Sequence, residues 1–370
     1  MLRRVIVCSW AAVALAAPSS VVAKRVLVVT DPHSSTKPAT LLEFAITEEL
    51  RNNDATVVLR PTELSPKQAR AQRFAAQAEN LRQNGRRQFE QLELDLALKQ
   101  LNKAVQKLDK AMPMLEDIRP LLDTLEMLCA TYLLLGQERR ARTSLERLLV
   151  LDVNASPDEV VFNPQMMAVF DAVASRVGGG PVFDVEVTVD PPGAAVFFDG
   201  RLIGVAPATA KDVHRGRHYV SAALKGFDPV GRAVELKPRS GHFLSLKLSE
   251  SRRSSPSEAA ATAAVAAIDD EVMPAEAQDL VDKFGADIIL LISSGRGGAR
   301  LVSYDANGSH RYDKSSSSRV TDLGSARKMA HTLLGPLARP RASDDGDTDF
   351  AATRSDDEAY SDDFGDGESG

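Results

Sequence analysis

The sequence predicts a multidomain α+β protein with three parts: an α/β domain split between the chain ends, α-helical hairpins, and a small antiparallel β unit. Three observations carry this. A mostly β-branched run followed by helical and strand patterns opens the chain after residue 23. From about Lys67 to Asp152, apolar residues recur at alternating steps of four and three. Beyond Gly178-Gly179-Gly180-Pro181 the period falls to two. With 370 residues, the chain has room for two or three domains.

The first 23 residues read as a signal peptide. Arg3 and Arg4 form a charged start, the apolar run VIVCSWAAVALAA follows, and small residues offer cleavage after Ala16 or Ala23. That run is shorter than the ~20 apolar residues a bilayer span needs. Removal of the segment takes away Cys8 and the only tryptophan, Trp10, and leaves Cys129 as the single cysteine. No intramolecular disulfide is then possible, which a periplasm permits.

Residues 24–62 read as strand, helix, strand. Val26 to Thr30 is a continuous, mostly β-branched run, as for a strand covered on both faces. Thr40-Leu41-Leu42-Glu43 fits a capping box for the helix that follows, and ATVVLR forms a second strand ended by Pro61. Residues 63–177 read as helices. Leu121, Leu125, Leu128, Tyr132 and Leu135 form one stripe, closed by Gly136 at a left-handed cap position. Ala141, Leu145, Leu148 and Leu149 form the next, and FNPQMMAVFDAVASRV adds a helix with Pro164 near its start. Cys129 lies on the first stripe and reads as a core residue.

Residues 182–249 read as short strands joined by Gly/Pro turns. Val185, Val187 and Val189 alternate with polar residues, as do Val234 with Leu236 and Leu244 with Leu246 and Leu248. Asp190-Pro191-Pro192-Gly193 sets a turn before Ala194, and Asp199-Gly200 joins a hairpin that runs on to Gly204 and Pro207. Gly216 and Gly226 mark further reversals.

The Ser/Ala-rich residues 250–270 read as a linker. Residues 271–339 then read as a helix capped by Gly285, a buried strand from Ile288 to Ser293, two hairpin strands turned at GRGG and ANGS, and a helix from about Asp322 to Leu334. Each end of the chain is thin by itself. We expect them to join into one α/β domain, with the helical and all-β parts inserted between them. Residues 340–370 are acidic and Gly/Ser-rich, a composition that predicts disorder.

Three family resemblances follow. The pair LEMLCATYLLLGQERRARTSLERLLVLDVN resembles a tetratricopeptide unit, and FEQLELDLALKQLNKAVQKLDKAM resembles the middle of a more degenerate one. Stacked repeats usually number three or more, so a neighbouring domain or a partner should cover the rest. The β segment resembles a PEGA domain, with Pro191-Pro192-Gly193-Ala194 at the motif, AVFFDGRLIGVAP after it, and then GRHYVSAALKGFDP. Proline stands here where that family has glutamate. The resemblance implies a small antiparallel module of extracytoplasmic and surface proteins that mediates binding; it does not imply catalysis. The order of the two chain ends also resembles, weakly, the amino-terminal domain of Tol-system propeller proteins and related envelope lipoproteins.

Formal net charge is −6, but residues 344–370 hold eleven acids and one base, so the remainder is close to neutral. A body so close to neutral does not look like a nucleic-acid binder, which would cluster its bases on one face. His214 and His218 are four apart, but Gly216 interrupts them and no Cys or acidic cluster completes a zinc set. SSGRGGAR precedes an alternating, strand-like stretch, so it reads as a hairpin turn and not as a phosphate loop, which must open a helix. DGDTD in the tail spaces its carboxylates like the start of a calcium loop but does not complete one, since Phe350 stands where glycine is required. Asp31, His33 and Ser34 follow a buried strand, the usual place for a ligand in an open α/β sheet.

No cofactor, metal or catalytic group is expected. The sequence predicts a non-enzymatic binding or scaffold protein of the bacterial envelope, exported and periplasmic, whose partner is an envelope protein or a cell-wall polymer. The alternative is a periplasmic small-ligand sensor or carrier using Asp31, His33 and Ser34.

Overall fold

The structure, a computed structural model, describes residues 24–31, 36–52, 56–60, 64–157, 162, 164–237, 242–251, 256–270, 272–295 and 298–338. The expected signal peptide, the acidic tail, Pro61, His33 and Ser34 lie outside the described residues.

The chain opens with β1 (Lys24–Thr30), α1 (Lys37–Arg51) and β2 (Thr56–Leu59). Helix α1 begins three residues before the expected capping box. Its N-cap is Thr36, Pro38 sits in its first turn, and Thr40 lies inside the helix, buried. Proline at that place lacks only an N–H that the first turn leaves unpaired anyway, so the helix can start earlier. Glu43 makes no capping box and turns instead toward Thr30.

Helices α2 (Pro66–Glu90), α3 (Leu94–Ala111), α4 (Arg119–Leu134), α5 (Glu138–Leu151) and α6 (Pro164–Gly178) follow, with a 3-10 turn at Met112–Met114. Ser65 and Gln68 form a reciprocal capping box at the start of α2. Leu121, Leu125, Leu128 and Tyr132 from α4 and Ala141, Leu145, Leu148 and Leu149 from α5 share one core. Gly136, at φ 68°, closes the chain between these helices. Cys129 is fully buried in that core, and burial, helped by Glu126, pushes its thiol up to about 12. A thiol held so far above neutral pH carries almost no thiolate and is chemically inert.

Next come β3 (Val182–Asp190), β4 (Ala195–Phe198), β5 (Arg201–Val205), β6 (Ala208–His214), β7 (Gly216–Ala223), β8 (Phe227–Asp228), β9 (Val230–Leu236), β10 (Phe243–Lys247) and β11 (Ser249–Glu250). They form a three-stranded sheet in the order β10-β3-β6, a four-stranded sheet β5-β4-β7-β9, and the short pair β11-β8. Strand β10 runs parallel to β3, so the unit is mixed and not wholly antiparallel as expected. Strand direction depends on the path of the connections and leaves no mark in the alternation of side chains. Val185, Val187 and Val189 from the first sheet share a core with Val196, Phe198, Val220 and Ala222 from the second. The other face of β4 is also covered: Ala195 and Phe197 pack with Leu202 and Val205 against α1 and the chain's last helix, described below. This explains the unbroken AVFF run, because a strand buried on both faces does not alternate.

The chain closes with α7 (Pro256–Ala266), α8 (Ala275–Phe284), β12 (Ile288–Gly295), β13 (Gly298–Asp305), β14 (His310–Ser316) and α9 (Leu323–Leu334). Strands from both ends form one sheet in the order β14-β13-β12-β1-β2. Strand β1 runs parallel to both β2 and β12, pairing Val26 with Val58 and with Ile288, and β12, β13 and β14 are antiparallel. Val26 and Val28 face α1 and α9, whereas Leu27 and Val29 face α7 and α8.

The expected linker at 250–270 is corrected by α7. Its Ala261 and Ala264 are fully buried and Val265 is nearly so, all in the core shared with β1, β12 and α8. Alanine is the strongest helix former, and its small side chain lets a helix lie close to a sheet. Composition alone resembles that of a flexible spacer.

Candidate functional site at a three-way junction

The β-domain touches both neighbours, and clusters of partnered polar residues lie within it and at those contacts. The first cluster lies at the β4–β5 hairpin. Asp199 is in the left-handed region, at φ 49°, and Gly200 follows at 75°. The Asp199 backbone N–H donates to the Tyr219 carbonyl at 2.7 Å, and its Oδ1 accepts from the Tyr219 N–H at 2.8 Å. Its Oδ2 lies 2.6 Å from Nδ1 of His218, which is 1% exposed. His218 Nε2 is 2.8 Å from the His214 carbonyl oxygen. Both ring nitrogens therefore face oxygen acceptors, so Nε2 holds a proton and a second proton lies between Nδ1 and Oδ2. Burial pushes the Asp199 carboxyl up, opposed by the hydrogen bond and charge of His218 and by the Tyr219 N–H. A buried, fully partnered pair of this kind fastens a turn to a neighbouring strand.

The same hairpin tip abuts the helices. A Cβ on Gly200 would stand 3.1 Å from the Glu116 carbonyl oxygen and 3.3 Å from the Ile118 nitrogen. Gly200→Val is expected to cost at least ~1–2 kcal/mol, since a β-branched side chain resists positive φ and also meets this backbone. Thermal unfolding followed by circular dichroism measures it; an unchanged midpoint would remove the hairpin from the junction.

The second cluster joins α3, α5 and β7. The Tyr219 hydroxyl donates to Asp109 Oδ1 at 2.6 Å and accepts from Arg147 Nη2 at 2.8 Å, while Arg147 and Asp109 form an ion pair. Burial, above all, pushes the Tyr219 hydroxyl well above its ordinary range. It stays a neutral donor at any physiological pH.

The third cluster joins the α/β domain to the helices. Glu116 accepts from Arg60 at 2.7 Å and pairs with Arg51 at 2.6 Å. The Arg60 guanidinium lies 4.3 Å from the Phe44 ring centroid, and Phe44 meets Phe197 edge to face at 4.9 Å. Burial would raise the Glu116 carboxyl, but the charges of Arg60 and Arg51 outweigh it and hold it below the ordinary range. A depressed folded-state value stabilises the fold above the unfolded pKa, about 4.3, and the contribution disappears as pH falls through the folded value. Glu116→Gln is therefore expected to cost about 1.5–3 kcal/mol at pH 7. The gap between parent and variant should shrink toward zero in unfolding curves taken progressively below pH 4; a pH-independent gap would contradict the ion-pair origin.

The crevice at the carboxyl end of β1 is occupied from within. Lys225, in the β7–β8 turn, donates to the Asp31 carbonyl at 2.7 Å and to Thr30 Oγ1 at 3.0 Å, and pairs with Glu43 at 3.2 Å. Thr30 Oγ1 donates in turn to Glu43 at 2.7 Å. Asp31 thus offers its main chain to the β-domain. Whether His33 and Ser34 join it lies outside the described residues.

The turn residues fall where the chain reverses. Pro191, Pro192 and Gly193 connect β3 to Ala194 and β4, Gly204 lies within β5 opposite Val196, where the β4–β5 register shifts, and Pro207 follows Ala206 into β6. Gly216 starts β7 beside Val150 of α5, and Gly226 adjoins Lys225. The Asp190–Pro191 and Ala206–Pro207 peptide bonds are cis. Among the described residues no group of three or more His, Cys, Asp or Glu is placed to hold a metal ion, and no helix is long and apolar enough to cross a membrane. The sequence marks Asp199 only as a turn former and gives no sign of Tyr219, Arg147, Glu116 and Lys225, whose partners lie far along the chain. The one local hint was a histidine in a strand otherwise rich in small and apolar residues.

Residues 183–252 match the family model of the PEGA domain. The match spans both sheets, so Asp199, His218, Tyr219 and Lys225 lie within it, whereas Asp109 and Arg147, which complete the Tyr219 cluster, lie in the helices. Proline at 192 in place of the family glutamate sits in an exposed turn beyond the reach of these contacts. Searches of curated proteins and of solved structures gave no match.

Proposed function

We propose that the chain is a non-enzymatic binding and scaffold protein of the bacterial cell envelope. In this reading the helices are tetratricopeptide-like hairpins, the PEGA domain is a two-sheet sandwich, and the composite surface engages an envelope protein or a cell-wall polymer. The observation that carries it is the use made of polar side chains in the PEGA domain. Asp199, His218, Tyr219 and Lys225 are all engaged in fastening the domain to itself or to its neighbours, and a domain held in this way serves as a rigid platform. The PEGA match agrees with an extracytoplasmic place for it.

Export is tested by intact mass of the chain recovered from the periplasmic fraction. The expected product starts at Ala17 or Lys24; full-length chain retained in the cytosol would overturn the location. Binding is tested by cross-linking mass spectrometry in intact cells together with co-sedimentation with purified cell-wall polymer. Recovery of neither an envelope neighbour nor the polymer would overturn the scaffold role.

A further inference from the structure

A groove of about 430 Å³ runs between α5 and the PEGA domain, lined on the helix by Glu146, Arg147 and Val150 and on the domain by Arg215, Arg217 and Lys237. Arg147 is neutralised by Asp109, and Glu146 is paired with Arg176 at 3.0 Å. Arg215 and Arg217 are exposed and form no ion pair among the described residues. With Glu235 as the other acid on the rim, the groove keeps a net positive charge. Val150 adds a half-buried apolar spot at its floor.

We infer that this groove is the docking surface for the chain's own acidic carboxyl-terminal segment, residues 344–370. Two arguments select that occupant. The first is charge: the segment carries eleven acids and one base, while the rest of the chain has a small basic excess. Phe350, Tyr360 and Phe364 are interspersed among those acids, and their rings suit a groove with an apolar floor and guanidinium walls. The second is reach. The described part ends at Ala338. An extended segment of this length spans roughly 90 Å at ~3.4 Å per residue, several times the roughly 20 Å radius of gyration of a folded body this size. Tethering also gives the segment an effective concentration of order millimolar, so weak charge pairing suffices to populate the contact. The contact is salt-sensitive, because Arg215 and Arg217 are solvent-exposed.

The test is zero-length carbodiimide coupling of carboxylates to lysines in the full chain, mapped by mass spectrometry. Coupling of Lys237 to carboxylates within 344–370 is expected, strongly reduced in about 1 M salt, where the Debye length is ~3 Å. The double substitution Arg215→Glu with Arg217→Glu should lower that yield about tenfold, the equivalent of ~1.4 kcal/mol, with an unchanged melting curve as the folding control. A second variant, Asp356→Asn with Asp357→Asn and Glu358→Gln, leaves the folded body untouched and should lower it too. Equal coupling to lysines that do not line the groove, such as Lys67 and Lys99, or a Lys237 yield indifferent to both variants, would overturn the assignment. Mixing isotopically labelled and unlabelled chains provides the remaining arm: products joining the two would assign the groove to the segment of a second copy and overturn the contact within one chain.

Discussion

Asp199→Ala is expected to destabilise the protein by about 3–5 kcal/mol, the cost of breaking a buried charge pair by removing one partner. Three groups lose their partner at once. His218, 1% exposed, keeps a ring nitrogen 2.8 Å from the His214 carbonyl but has nothing opposite Nδ1. The Tyr219 N–H loses its 2.8 Å acceptor inside the domain. The hairpin tip loses the side chain that ties it to β7. Asp199→Asn should cost less, because its amide oxygen can still accept from the Tyr219 N–H and its amide N–H₂ can donate to Nδ1 of a neutral ring whose proton sits on Nε2, so that only the charge of the pair is lost. Denaturant midpoints followed by far-ultraviolet circular dichroism give the comparison. A loss below ~1 kcal/mol for alanine, or no difference between alanine and asparagine, would show that the dyad does not hold the turn.

The second large effect is steric. Gly231→Ala would place a Cβ 1.7 Å from the Pro113 carbonyl oxygen and 2.7 Å from its carbon. Ordinary carbon–oxygen contacts are ~3.3–3.6 Å, so β9 and the 3-10 turn would have to separate by more than an ångström. Neither side is a flexible side chain that can turn away. The cost is expected to exceed the usual ~1–3 kcal/mol of overpacking. It should appear as faster amide hydrogen exchange in Val230–Leu236 and Met112–Met114 as well as a lower melting temperature. Gly178→Ala, where no atom lies within 4 Å of the new Cβ, is the control and should be close to neutral. Equal behaviour of the two variants would mean that the PEGA domain and the helices are not in this contact.

Both effects arise at contacts between parts of the chain that the sequence treats as separate, and this marks the limit of what could be read from it. The turns were legible because proline and glycine act locally: Gly285 at φ 60° ends α8 and Asp322 caps α9, each by a bond or a dihedral within a few residues. The apolar stripes of α4 and α5 were legible because a helical face repeats at a fixed step. The Thr40 capping box does not form because Pro38 allows an earlier start. Helix α7 looks like a spacer because its alanines have a spacer's composition and lack a polar face to betray the buried one.

Of the site, the sequence exposed Asp199 and Gly200 as a turn, His214 and His218 as a histidine pair without a third ligand, and Asp31 as the end of a buried strand, but none of their partners. Asp199 meets His218 nineteen residues on, Tyr219 meets Asp109 across 110 residues, and Lys225 reaches Thr30 across 195. No periodicity encodes such pairs. The sequence by itself determined most of the local elements and turns and the β character of the PEGA segment, since these depend on dihedral preference and on burial patterns a few residues long; it did not determine α7 or the parallel pairing of β3 with β10. Tertiary structure alone decided that β4 is covered on both faces, that Lys225 fills the crevice beside Asp31, and that Arg215 and Arg217 border a groove. Each of those outcomes depends on which distant surfaces exclude water from one another.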